Sequence, residues 1–280
     1  MISHCLGLDH AVINTAGHID AAVDQFARLG FRLTPRGFHS SGSINHLMMF
    51  GPDYLELIGV PPENAALRPE LSAGPRGLDA IAFATDSAAG AHTALERAKF
   101  MPQPLKSLSR PVLLDDGVLD ARFALVALPP DTVAWGRLFV CEHLTRALVW
   151  RDSMRNHPNG AREITRITIV VPDPHAEASR LAPLFAETST RPDAPRAELM
   201  LGNLRIDLVT AALLQHRLGP SASDGGGRAS YMAAIELRAA DLDAVRQSLR
   251  ALPARDVHDQ GSRVIVAARL ACNTTIEFID

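Results

Sequence analysis

The chain has 280 residues, 47% hydrophobic and 21% charged, with 19 glycines and 19 prolines, a composition that can bury a core and excludes wholesale disorder. Lys and Arg total 28 against 31 Asp and Glu, a net charge of −3, and no basic run is interleaved with aromatics, which excludes a nucleic-acid footprint. Cys5, Cys141 and Cys272 are widely spaced and form no CxxC pair, against both a disulfide framework and a thiolate zinc site. No stretch approaches the roughly eighteen apolar residues of a membrane span, and the N-terminus lacks a basic and then apolar leader pattern. The expectation is a cytoplasmic chain with no membrane partner, long enough for two domains.

In chain order, the first segment, LDHAVINTAGHIDAAVDQFARLGF from Leu8, runs from an apolar strand through a turn into a helix. INHLMMF and YLELIGV follow as further strands, the second with Glu56 at its centre. The pattern returns three times, from Leu78, Ile164 and Tyr231, and each copy ends in a strand with an embedded acid: Glu142 in LFVCEHL, Asp207 in LRIDLVT and Glu277 in TTIEFID. Pro- or Gly-rich joints separate the copies, PPENAALRPELSAGPRG after Val60, RNHPNGARE before Ile164 and GPSASDGGGRAS before Tyr231. The repeated unit reads as βαβββ. Below about 70 residues one core seldom stabilises a chain by more than a few kcal/mol, so units should pair. The predicted fold class is α+β, four βαβββ modules paired into two cup-shaped half-barrels, with domains at 1–150 and 160–280.

These residues resemble the vicinal oxygen chelate superfamily and, within it, the glyoxalase-like domain proteins. The likeness is most specific over 8–60, through LDHAVI, GFHSSGSINHLMMFG and YLELIGV, and weaker at GRLFVCEHL. It implies that paired modules wrap into a cup holding one divalent ion (Zn, Fe, Mn or Ni) on His and Glu side chains of first and last strands. On that basis His10 matches the first-strand histidine, Glu56 the last-strand glutamate of module one and Glu142 that of module two. Ala80, Arg166 and Ala233 occupy the positions equivalent to His10, so the two-His, two-Glu site of the lactoylglutathione lyase type is not present.

His46 is one candidate for the missing nitrogen. Alternation of INHLMMF puts Ile44, His46, Met48 and Phe50 on one face, and a strand beside the one holding Glu56 would let His46 join it. The ligand set is then His10, Glu56 and either His46, leaving Glu142 as general base, or Glu142 itself. Between Glu142 and His143 only one can enter the cup; Glu142 is the expected one, with Phe139 and Cys141 on the core face behind it. His39, Met48, Tyr54 and Arg122 complete the candidates as substrate contacts. The bland alternatives are a structural His10 and a salt bridge from Glu56 to Arg36 or Arg122. In the second half Asp207 and Glu277 lack a partner histidine, and Arg166 facing Asp207 would replace the metal with an ion pair, making 160–280 the structural half.

Two functions follow. One is a metal-dependent enzyme acting on a small carbonyl or vicinal-oxygen substrate, whether lyase, isomerase or dioxygenase. Extradiol dioxygenases are disfavoured, because their complete metal triad is expected in the C-terminal half. The other is a metal-free binding protein of the drug-sequestering kind, for which 5% aromatic residues make a thin stacking pocket. Either works as a monomer or a homodimer.

Overall fold

The computed structural model of the protein describes residues 2–114, 117–190 and 194–280. Its strands are β1 (Gly7–Asn14), β2 (Gly37–Phe38), β3 (Ile44–Met49), β4 (Tyr54–Gly59), β5 (Gly77–Ala84), β6 (Lys106–Leu114), β7 (Gly117–Ala127), β8 (Arg137–His143), β9 (Ala161–Val170), β10 (Glu187–Thr190), β11 (Arg196–Leu201), β12 (Leu204–Val209), β13 (Tyr231–Ala239), β14 (Val257–Asp259), β15 (Arg263–Val266) and β16 (Thr275–Ile279). The helices are α1 (Ile19–Arg28), α2 (Pro69–Ser72), α3 (Ala88–Arg97), α4 (Arg146–Val149), α5 (Pro174–Leu181), α6 (Ala211–Leu218) and α7 (Leu242–Leu249).

Two eight-stranded sheets result, ordered β2-β3-β4-β1-β5-β8-β7-β6 and β10-β11-β12-β9-β13-β16-β15-β14. Each is two βαβββ modules joined antiparallel through their first strands, β1 to β5 and β9 to β13, while first and last strands of a module run parallel. The fold is therefore the α+β arrangement of four modules in two half-barrels. The N-terminal sheet curls until its ends meet, where Ser40 N–H donates to the Ser109 carbonyl at 3.1 Å.

The helices form where strand periodicity gives way to an apolar stripe. Ile19, Ala22 and Phe26 of α1, Ala88, Ala91 and Leu95 of α3, and Leu242, Val245 and Leu249 of α7 recur at three- and four-residue spacing and are buried. Ser87, Asp173 and Asp241 cap the first turns by accepting backbone N–H bonds. Gly30 ends α1 at φ +82°, and a Cβ there would come 2.8 Å from Ser248.

The convex faces of both sheets and their helices share one core, which runs from Ile2 to Phe278. Phe31 stacks near Phe278 with centroids 6.0 Å apart, and Phe83 meets Phe185 edge-on at 5.9 Å, so aromatic pairs tie the halves together. Between modules the linkers turn inward. Leu71 of α2 packs on Val12, Ile58 and Ala80 of the N-terminal cup, and Leu214 and Leu218 of α6 fill the C-terminal one. Among the described residues no helix is long and apolar enough to cross a membrane.

Candidate functional site

The N-terminal cup is built on a bulge. Leu8 pairs with Phe83 and His10 with Ala82, so β1 has one residue more than β5 across this step. The extra residue is Asp9. A bulge breaks strict alternation and lets neighbours face one side, so Asp9 and His10 both enter the cup. His10 Nδ1–H donates to Asp9 Oδ2 at 2.7 Å, and His143 Nε2–H donates to the same oxygen at 3.0 Å. Burial alone would raise the Asp9 carboxyl, but the two imidazole hydrogen bonds outweigh it and hold the group well below the usual carboxylate range.

With Nδ1 hydrogen-bonded to Asp9, His10 turns Nε2 toward Glu56, whose Oε2 is 3.6 Å away. Tyr54 stacks on the imidazole at 4.4 Å and Phe139 meets it edge-on at 5.4 Å, which fixes the ring plane. Glu56 Oε1 accepts from Asn45 Nδ2 at 2.6 Å, and the same amide nitrogen lies 3.2 Å from His39 Nε2. His39 donates from Nδ1 to Ser43 Oγ at 2.8 Å, leaving Nε2 aimed at Glu56 Oε1 from 3.9 Å. Burial pushes the His39 imidazole down to about 4, so it is neutral.

His10 Nε2 and His39 Nε2 thus face the two oxygens of one buried carboxylate at separations too long for hydrogen bonds. Donors about 2.1 Å from one tetrahedral ion lie about 3.4 Å apart. The His10 gap approaches that value, while His39 faces the other Glu56 oxygen from 3.9 Å, and no choice of one donor atom from each of the three brings all of them within 4.8 Å of one another. Holding one divalent ion on all three would require an imidazole to move inward. A second group of donors adjoins them: single atoms of Asp9, Cys141 and His143 come within 4.8 Å of one another. There Asp9 already accepts two hydrogen bonds, burial pushes the Cys141 thiol up, and His143 Nδ1 is buried without a partner.

Several expected positions are corrected. His46 opposes Leu57, while Leu47 opposes Glu56, so His46 lies on the other face, where its Nδ1–H donates to the Thr34 carbonyl at 2.8 Å. The alternation of INHLMMF holds, but that face, with Met48 and Phe50, belongs to the convex core, so Met48 has no access to the cup. Glu142 also faces outward, accepting from Ala88 N–H at the start of α3 at 2.8 Å. On β8 it is Phe139, Cys141 and His143 that enter the cup, the reverse of the expected parity. Arg122 is exposed on the outside, because Ala121 and Phe123 on either side of it take the inward face. His10, Glu56, Tyr54 and His39 are brought together. Asp9, Asn45, Arg110 and His143 are the members not expected; the acid beside His10 was the signal available for Asp9.

The C-terminal cup holds ion pairs at the corresponding places. Arg166 reaches Asp207 at 3.7 Å and Glu236 at 3.1 Å. Glu277 accepts from Arg217 and Arg263, both at 2.8 Å.

The chain belongs to the Glyoxalase-like domain family, whose model matches residues 8–185, within the vicinal oxygen chelate superfamily that the sequence resembles. Solved structures sharing the fold include a hypothetical protein from Staphylococcus aureus, 14% identical, with a TM-score of 0.68 and 98% of each chain covered. Others are a 4-hydroxymandelate synthase variant from Streptomyces coelicolor, 11% identical (TM-score 0.55, 99% of this chain and 92% of that one), and a homoprotocatechuate 2,3-dioxygenase variant from B. fuscum, 12% identical (TM-score 0.55, 99% and 71%). No curated protein matches the sequence.

Proposed function

We propose that the protein is a metal-dependent enzyme whose N-terminal half, 1–150, acts on a small oxygenated substrate, with His10, His39 and Glu56 as the ligands of one divalent ion. The observation behind this reading is the convergence of two imidazole Nε2 atoms on the Glu56 carboxylate. The ion would supply Lewis acidity to a carbonyl or paired oxygens of the substrate. Asp9 fixes the His10 tautomer and strengthens its Nε2 as a donor, the pattern of a carboxylate behind a ligating histidine. Asn45 holds the Glu56 carboxylate, and its 3.2 Å contact with His39 Nε2 uses the lone pair that the ion would take, so an ion would displace that contact. The wall of Leu47, Val112, Phe123 and Phe139 excludes water from the reacting centre. Residues 160–280 are the structural half, and one chain contains the whole site, so a monomer suffices.

Elemental analysis of protein purified without chelator or a nickel column tests this. One equivalent of metal is expected in the wild type and in Cys141→Ala, and none in His39→Ala or Glu56→Gln. Metal lost only in Cys141→Ala and His143→Ala would move the ion to the Asp9 cluster. Metal absent from the wild type, with no thermal stabilisation on adding divalent ions, would leave the metal-free binding protein in its place.

A further inference from the structure

Arg110 is the only buried arginine or lysine among the described residues, 7% exposed in the edge strand β6. Every buried acid of the C-terminal cup has a guanidinium beside it, yet no carboxylate among the described residues pairs with Arg110. Glu56 and Tyr54 act on it only through space. The Glu56 oxygens are already committed, one to Asn45 and the other facing His10.

The placement is specific. Arg110 opposes Ala121 on the inner wall, with Leu108 and Val112 two residues to either side packed into the apolar lining. Its side chain lies across Gly37: a Cβ there would stand 3.2 Å from Arg110 Nη1 and would collide with the Asn45 amide oxygen. The guanidinium therefore sits next to the amide that holds Glu56 and His39.

An unpaired buried cation costs folding free energy, and an incoming anion removes that cost. The planar guanidinium matches a carboxylate through two parallel N–H bonds. A monoanion suits the cup better than a dianion, because Asp9 and Glu56 already place negative charge there. The neighbouring Leu47, Val112, Phe123 and Phe139 call for an apolar body. We infer that Arg110 anchors the carboxylate of a small apolar or aromatic acid, so that the substrate class is a carboxylic acid whose oxygenated carbons reach Glu56 and His10. This rests on the N-terminal cup being the substrate site.

Calorimetric titration and thermal shift with phenylacetate, and with its neutral counterpart phenylacetamide, provide the test. The wild type should prefer the acid by about thirty-fold or more, the value of a desolvated charge contact. Arg110→Met should lose that preference, with an unliganded Tm equal to or above that of the wild type, and Arg110→Lys should retain part of it. Metal content measured on the same samples should not change in Arg110→Met. A wild type without metal that still prefers the acid refutes the metal assignment and leaves the anchor standing. Equal binding of acid and amide, an unchanged preference in Arg110→Met, or a large drop in its Tm overturns the anchor.

Discussion

Glu277→Gln and Glu56→Gln alter equivalent last-strand positions, and the two cups predict opposite consequences. Glu277 is fully buried and takes one 2.8 Å bond from Arg217 and another from Arg263. Glutamine keeps the shape but loses the charge, and it turns an amide N–H₂ toward one guanidinium. Hydrogen bonds to charged groups contribute about 1.5–3 kcal/mol each. The arginine side chains keep 24% and 26% of their surface in solvent, which screens the loss. A cost of about 3 kcal/mol follows, the low end for breaking a buried pair. At roughly 2 °C per kcal/mol for a chain of this size, Tm should fall by about 6 °C. Glu56 loses a single bond from Asn45, while its own desolvation is relieved; Glu56→Gln should stay within about 1 kcal/mol of the wild type. Urea and thermal unfolding followed by circular dichroism, with chelator present so that bound metal does not stabilise one variant only, measures both. Equal losses would refute the division into a structural and a functional cup.

Gly37→Ala should displace Asn45 and lower metal affinity about tenfold or more in a metal titration, with secondary structure retained. His157 accepts from Arg32 N–H, donates to the Met49 carbonyl and is pushed down to about 4 by burial. The unfolded chain takes its proton first, so this contribution is complete above pH 6.5 and is lost as the pH falls toward 4, at up to about 1.4 kcal/mol per unit. His157→Gln should flatten that limb in urea midpoints measured from pH 4.5 to 7.5. Asp53 is the opposite case: burial raises its carboxyl well above the usual value while it accepts from Ile164 N–H. Its contribution is present below the unfolded value and declines as the pH rises through the folded one, so Asp53→Asn should exceed the wild type in stability at pH 8.

The modular fold was legible because four apolar runs, four amphipathic helices and four embedded acids repeat in one order. His10 and Glu56 were legible as polar residues in strands too apolar to be solvated. The facing of β8 was not, because alternation separates Glu142 from His143 without saying which side is concave. Only the pairing of β8 with β7 and β5, and the contact of His143 with Asp9, decide it. His39 lies in a Ser- and Gly-rich loop whose composition reads as solvated, and the Asn45 amide draws it in. Arg110 stands in KSLSRPVLL, a strand otherwise half exposed, where a lone arginine looks like an edge charge.

The extra residue in β1 makes an acid and an imidazole that are adjacent along the chain meet on one surface, so their contact is set by local backbone and survives changes elsewhere in the barrel. A second register step at Val12 and Ile13 puts Asp79 in the same situation on β5, and there the acid holds Arg137. Asp9 and Asp79 are thus two copies of one dipeptide device, differing in whether a histidine or an alanine comes next. The second copy stays silent for a steric reason: Ala80 is fully buried against Val12, Leu71 and Phe139, which leaves no room for an imidazole, and Asp79 gives its carboxylate to Arg137 instead.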